Sequence, residues 1–208
     1  MKEEKVLQRK IKRGHTLSNH ELLAIFDMEE PEKWFRIHVK HYKIFSSEIE
    51  CKMIALKNYA LLNFYFQNYL MKGETVDYLF SCQDVEILNL FLRHNLLSVE
   101  DQFKLIELGN PDLFRTYLNN WYIDPAAQER LVNLQNKEMI RVYITYHRFD
   151  PEIELAFVKQ NNPSLLQYYV KKYKVSQEAK DILFANGDHN VLQAYIYTWV
   201  YPKAWIKK

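Results

Sequence analysis

The chain has 208 residues, of which 48% are hydrophobic and 26% charged, with a formal net charge of +2. This is the composition of an ordinary foldable domain or short repeat array. Because positive and negative charges are nearly balanced, the net charge does not by itself indicate a nucleic-acid or membrane partner. Two cysteines and four glycines argue against a disulfide framework, a zinc finger and phosphate-binding glycine loops.

The first 15 residues form a basic N-terminal segment containing Arg9, Lys10, Lys12 and Arg13. It lacks the apolar region of a secretory signal, and no run of about twenty apolar residues follows that could span a membrane. We therefore expect a cytoplasmic protein without a membrane partner. The segment is interpreted as a solvated tail, with contact to a nucleic acid or an anionic surface as the alternative.

Residues 16–208 are predicted to form a single α-solenoid repeat domain, because a 26-residue period runs through them. Six polar residues, which we call the B-caps, are each 26 positions apart: Asn58, Asp84, Asn110, Asn136, Asn162 and Asp188. An aromatic residue follows each B-cap by seven positions: Tyr65, Phe91, Tyr117, Tyr143, Tyr169 and Tyr195. Apolar residues also follow by three, four and eight positions, and these spacings share one helical face. Each B-cap therefore begins a helix B of about ten residues, and its side-chain oxygen is expected to accept a hydrogen bond from a free N–H group of the first turn.

A second helix, helix A, precedes each helix B in the same period. Its predicted caps are Ser46, Ser98, Asp124, Asp150 and Ser176, and Lys72 stands at the remaining position of this series. Gly109 and Gly187 directly precede two B-caps, where a left-handed residue can end helix A.

Both ends of the array depart from the regular pattern. A capping box of Ser18 and Glu21, followed by a helix from Pro31, predicts a divergent first repeat. Pro202 falls on the next helix A cap position, where the chain stops short of a further repeat. The sequence thus predicts an all-α solenoid of about seven helix–turn–helix repeats, six of them regular, with atypical ends.

The repeat resembles the HEAT-like α-solenoid class, although its unit is shorter than the roughly 33–47 residues of tetratricopeptide, ankyrin and HEAT repeats. The S-x-E…L…G-N-P-x-L…Y-L pattern of residues 98–118 is also similar to modules of uncharacterised bacterial helical-repeat proteins. The resemblance covers about residues 16–205. It implies a solenoid fold and a binding role, and it implies no catalytic residue.

Several residues that could carry chemistry have simpler interpretations. The aromatic column is expected to pack in the core, with each Tyr hydroxyl reaching a partner, rather than to stack on nucleic-acid bases. His38 and His41 lack further convergent ligands for a metal and are expected at the surface or at a helix end. Cys51 and Cys82 are expected to be buried structural thiols.

The outward side of the B helices lacks acidic residues, because residues three to twelve after each B-cap include no Asp or Glu. An ordinary solvated face would also fit this pattern, since the helix dipole favours bases near the C-terminal end. As a candidate ligand surface, which we call the B stripe, we select eight residues: Asn89, Arg93, Arg115, Asn119, Arg141, Tyr146, Gln167 and Lys171.

Two functions remain open at this point. The first is a protein-interaction scaffold that holds a partner or peptide on a concave surface lined by the B helices. The second is nucleic-acid binding, in which Arg and Lys contact phosphates and Asn and Gln contact base edges. A HEAT-like DNA glycosylase would need a buried acid and an aromatic cleft that the sequence does not reveal. No enzyme activity, metal or small-molecule cofactor is expected.

Overall fold

The structure of the protein, a computed structural model, describes residues 2–41, 45–71 and 73–201. Of the residues in these ranges, 73% are helical and none is in a strand. It divides into two compact units, Met1–Leu96 and Leu97–Lys208. The all-α helical-repeat fold predicted from the period is confirmed.

Unit 1 begins with one extra helix, then the divergent repeat, then two regular repeats. Its helices are α1 (Lys2–Lys12), α2 (Asn19–Ile25), α3 (Pro31–Val39), α4 (Ser47–Ala55), α5 (Tyr59–Asn68), α6 (Gly73–Cys82) and α7 (Val85–His94). Helix A of one repeat packs on helix A of the next, as α4 does on α6, and helix B packs on helix B, as α5 does on α7.

Unit 2 contains four regular repeats stacked in the same way. Its helices are α8 (Val99–Glu107), α9 (Pro111–Leu118), α10 (Pro125–Asn133), α11 (Lys137–Tyr146), α12 (Pro151–Lys159), α13 (Pro163–Lys172), α14 (Gln177–Asn186) and α15 (His189–Tyr195), with a short π-helix over Ile196–Val200. The A helices α8, α10, α12 and α14 form one layer and the B helices α9, α11, α13 and α15 form the other.

All six predicted B-caps are confirmed. In each, the side-chain oxygen accepts a hydrogen bond from the backbone amide three residues later, at 3.0 to 3.4 Å. The helix A caps Ser46, Ser98, Asp124 and Ser176 also accept a backbone amide. Asp150 stands at its cap position but makes no side-chain cap bond. Lys72 and Pro202 lie outside the described residues.

A left-handed residue recurs between helix A and helix B, but glycine supplies it only once. Gly109 has a φ of 64°, as predicted, whereas Gly187 has a φ of −75°, so the prediction for Gly187 is wrong. At the same turn position of other repeats, non-glycine residues have φ near 50°: Lys57, Gln83, Gln135 and Asn161. Gly187 meets a different constraint, because a Cβ there would lie 2.1 Å from the carbonyl oxygen of Leu183.

The predicted apolar columns form the core, with exceptions at the end of unit 2. The six aromatic residues seven positions after the B-caps are all buried. Leu192 and Ile196, in contrast, are only half-buried, and Phe184 is 46% exposed. Their equivalents in the preceding repeats of unit 2 are buried, which shows that a following repeat normally covers these positions.

Three expectations about individual residues are wrong. The solvated tail is instead α1, which packs on α3 with Leu7 and Ile11 buried. His38 is buried rather than superficial. The thiols of Cys51 and Cys82 are half-buried and exposed, respectively.

A buried polar residue four positions after the helix A cap links successive repeats. We call this set the clasp residues: Glu50, Gln102, Gln128 and Glu154. In unit 2, each clasp side chain accepts a hydrogen bond from the backbone N–H of the next helix A cap residue, 22 positions later. The donors are Asp124 to Gln102 at 2.7 Å, Asp150 to Gln128 at 3.0 Å and Ser176 to Glu154 at 2.8 Å.

The remaining bonds of each clasp residue follow from its chemistry. The amide groups of Gln102 and Gln128 donate to backbone carbonyls five residues earlier. Glu154 has no such donor, and it accepts from the Tyr169 hydroxyl at 2.7 Å and pairs with Arg148 at 3.0 Å. Burial, followed by the hydrogen bond to Glu154, raises the pKa of Tyr169, so its hydroxyl remains a donor. These polar contacts are directional, and they fix the register in which apolar faces stack.

The core can be tested with two phenylalanines of unit 2. Phe114→Ala should lower the free energy of unfolding by about 3–5 kcal/mol, as for other buried phenylalanines, because Phe114 is 0% exposed. Phe184→Ala removes the same atoms from an exposed position and should cost well under about 1 kcal/mol. Chemical denaturation of both variants measures this difference, and equal losses would contradict the assigned register.

Candidate functional site

The B stripe residues occupy the helices expected, but their exposure varies. On α7 of unit 1, Arg93 is exposed and Asn89 is half-buried. In unit 2, the exposed members of the stripe are Arg115, Asn119, Arg141 and Lys171. The other two, Tyr146 on α11 and Gln167 on α13, are half-buried. In unit 2, the stripe therefore offers a row of cations and amides from three successive helices, α9, α11 and α13.

Arg115 does not present a free charge. Its guanidinium forms an ion pair with Asp112, three residues earlier on α9. Asp112 lies two residues after the B-cap Asn110, just outside the acid-free interval read from the sequence. The pair is an exposed i,i+3 contact, which contributes little stability but partly neutralises this end of the stripe.

Arg141 is held differently, by an aromatic platform from the next repeat. Its guanidinium carbon lies 5.6 Å from the centre of the Tyr168 ring. The Tyr168 hydroxyl lies 3.1 Å from the Thr145 hydroxyl, which donates to the carbonyl of Arg141 at 2.8 Å. Arg141 forms no ion pair with any carboxylate of the residues described, so its charge and planar N–H edge are oriented and remain available to a ligand.

A second series of contacts anchors the C-terminal ends of the B helices in unit 2. Eleven residues after a B-cap, a ring donor reaches a backbone carbonyl 29 positions earlier, on the preceding helix B. These donors are His147 to Leu118 at 3.1 Å, Tyr173 to Ile144 at 3.0 Å and Trp199 to Val170 at 2.6 Å. They satisfy helix-end carbonyls that would otherwise lack a partner, and they hold neighbouring B helices in register beneath the stripe.

The sequence analysis missed this donor column, although its 26-residue spacing is visible. Tyr, Trp and His differ in hydropathy, so no apolar or polar pattern marks the position; the shared property is a ring that can donate a hydrogen bond. Trp121 stands in the same column, but its Nε1 is buried and has no hydrogen-bond partner within the described part of the chain.

An aromatic cluster surrounds His147 at the end of α11. The ring of Tyr122, which is 73% exposed, lies 4.3 Å from the His147 ring, and the Tyr143 ring lies 5.7 Å away on the core side. Burial lowers the pKa of His147, opposed by its hydrogen bonds to the backbone and helped slightly by the charge of Lys172. The neutral ring, with its proton on Nε2, suits the bond to the Leu118 carbonyl.

Other kinds of site are not found in the ranges that the structure describes. No three His, Cys, Asp or Glu side chains converge there as metal ligands. None of these helices is long and apolar enough to cross a membrane. The chain matches no family model, no curated protein and no solved structure with which it was compared.

The His147 environment predicts a specific pH dependence. Because its folded pKa is lowered from the roughly 6.5 of an unfolded chain, the unfolded state gains a proton first as pH falls. The stabilising contribution is present above about pH 6.5 and is lost as pH decreases below it. In His147→Gln, which cannot titrate, unfolding free energy should fall less between about pH 7 and 5 than in the wild type. Urea titrations at both pH values measure this, and equal losses in the two proteins would contradict it.

Proposed function

We propose that this protein is an interaction scaffold and that the B stripe of unit 2 binds an extended, acidic peptide segment of a partner protein. The observation that carries the proposal is the Arg141 guanidinium, which is exposed, oriented by Tyr168 and unpaired with any described carboxylate. Asn119 directly follows the neighbouring helix α9, and Gln167 and Lys171 lie on the other neighbouring helix, α13. They add amide donors and acceptors that suit a peptide backbone, and a second cation.

A peptide is favoured over nucleic acid by the number of available charges. Proteins that bind DNA commonly neutralise about 6–10 phosphates. In unit 2, the exposed cations at or near the stripe without a described carboxylate partner are Arg141, Lys171, Lys172 and Lys174, and Lys172 already donates to the carbonyl of Thr145. The aromatic column seven residues after the B-caps is buried, so its rings are not available to stack on the bases of a single-stranded ligand.

Two further parts of the proposal concern the kinship of the fold and the cellular setting. A kinship with HEAT-like solenoids is supported by the stacked two-helix unit, and it would place the ligand on a repeated helix surface, as here. A cytoplasmic setting is supported by the two free thiols, Cys51 and Cys82, which a reducing compartment preserves.

The test uses a displayed library of random peptides, with enriched sequences synthesised and measured by fluorescence anisotropy. Enriched peptides should be rich in Asp and Glu. Arg141→Glu should weaken their binding by roughly tenfold or more, the effect of losing a charge-assisted hydrogen bond. Lys159→Glu is the matched control, because it reverses one exposed charge on the A-helix side of unit 2, and it should change binding by less than about twofold.

Labelled single-stranded and duplex DNA at about 50 mM salt form the second arm. Binding of DNA that weakens steeply with salt and is reduced in Arg141→Glu would replace the peptide proposal with the nucleic-acid one. Failure to enrich acidic peptides, or equal effects of the two substitutions, would refute a peptide site at Arg141.

A further inference from the structure

An exposed aromatic ring is held in place beside the B stripe of unit 2. Tyr122, in the loop after α9, is 73% exposed, and its ring lies 4.3 Å from the His147 ring at the end of α11. The His147 ring is itself fixed, because it bonds to the Leu118 carbonyl at 3.1 Å and lies against the buried Tyr143. The Tyr122 ring is therefore presented to solvent on a rigid base, which reduces the entropy lost when a ligand orders it.

A third ring extends this surface. Tyr146, the last residue of α11, is half-buried, and its ring lies 6.4 Å from that of His147. We call Tyr122, Tyr146 and His147 the aromatic shelf. Tyr122 is the last residue of the acid-free interval after the B-cap Asn110, and the other two rings lie in the interval after Asn136. A negatively charged ligand on the shelf would therefore meet no like charge from either interval.

A cation joins the shelf to the neighbouring helix α13. The Lys172 ammonium donates to the carbonyl of Thr145, which directly precedes Tyr146 on α11. Its charge also contributes to lowering the pKa of His147, after the larger effect of burial. The shelf and the cations of the B stripe thus form one continuous surface on unit 2.

The distance from the shelf to Arg141 can be bounded from the helix geometry. Arg141 precedes His147 by six residues, which is about 9 Å along the axis of α11. Its guanidinium leans toward Tyr168 on α13, and packed helices are roughly 8–10 Å apart. The guanidinium and the Tyr122 ring are therefore separated by about 9–13 Å.

We propose that the acidic peptide bound at Arg141 carries an aromatic side chain three or four residues from its acidic residue, and that this side chain packs on the aromatic shelf. The inference rests on the proposed function, because Arg141 supplies the anchor. An extended chain advances about 3.3 Å per residue, so three or four residues span the distance. Paired aromatic rings gain stabilisation beyond the burial of their area, and Tyr and Arg commonly dominate the binding energy of interfaces. In this arrangement Arg141 attracts the charge of the peptide and Tyr122 determines its sequence specificity.

A displayed peptide library with a fixed central pair of Glu and random flanks tests this preference. Trp, Tyr or Phe should be enriched about three or four positions from the Glu pair. In fluorescence anisotropy, replacing that aromatic residue of the most enriched peptide by Ala should weaken binding about fivefold. Tyr122→Ala should weaken binding of the unchanged peptide to the same extent. The two losses should not add, because both substitutions remove the same contact.

Two variants serve as controls. Tyr122→Phe keeps the ring and should bind the enriched peptide like the wild type. Phe184→Ala removes an exposed ring from the A-helix side of unit 2 and should leave binding unchanged. Because Tyr122 and Phe184 are both exposed, all these variants should keep the unfolding midpoint of the wild type.

The possible failures are distinguishable. Peptides that bind through Arg141 but show no aromatic preference, or losses that add in the double substitution, would overturn the shelf and leave the proposed function standing. Failure to enrich any peptide that depends on Arg141 would overturn both. Oligo(dT) at about 50 mM salt is a further probe, because exposed rings beside cations can also stack on bases. If oligo(dT) binds and Tyr122→Ala weakens that binding, the shelf is a nucleic-acid surface and the peptide inference is wrong.

Discussion

The backbone N–H at the start of each helix A is the group on which stacking in unit 2 depends. The first N–H groups of a helix have no partner within it, and here a side chain of the preceding helix A supplies one, in a bond that is partly buried. A buried donor left without an acceptor costs about 1–3 kcal/mol. Gln102, Gln128 and Glu154 remove this cost for the next repeat in the chain. The apolar faces supply most of the attraction, and the clasp residues decide where each repeat sits.

The difference between the apolar contacts and the clasp bonds explains why the period contains no insertion. Apolar contact tolerates sliding, because it is roughly proportional to buried area and has no direction. A clasp bond joins residues 22 positions apart, so one added residue between them would shift the amide away from its acceptor. Asp150 illustrates the coupling: its carboxylate accepts from the Gln128 side chain at 2.9 Å instead of capping its own helix.

The sequence predicted the features that depend on contacts within one helix, whereas it did not predict the features that depend on contact with the next repeat. The B-caps and the apolar columns are local and periodic, and they were predicted correctly except for the apolar positions at the end of unit 2. The clasp column was missed because Glu and Gln on a helix normally indicate solvent, and only the neighbouring amide makes them core residues. Lys57 and Gln83 carry no signal for left-handed backbone. Phe184 follows an apolar column, yet it is exposed because no described repeat follows it. For the B stripe, the sequence located the exposed side but could not distinguish the paired Arg115 from the oriented Arg141.

Hydrogen exchange at individual helix A caps tests the role of the clasp most directly. Gln128→Met keeps the side-chain length but removes the acceptor of the Asp150 amide. Global destabilisation would lower protection at all caps together, so the Asp124 amide, which Gln102 serves, is an internal control. If the clasp is correct, the ratio of Asp150 to Asp124 protection should fall by about tenfold, equivalent to roughly 1.4 kcal/mol. An unchanged ratio would show that apolar packing alone protects these amides, and it would contradict the assigned role of the clasp residues.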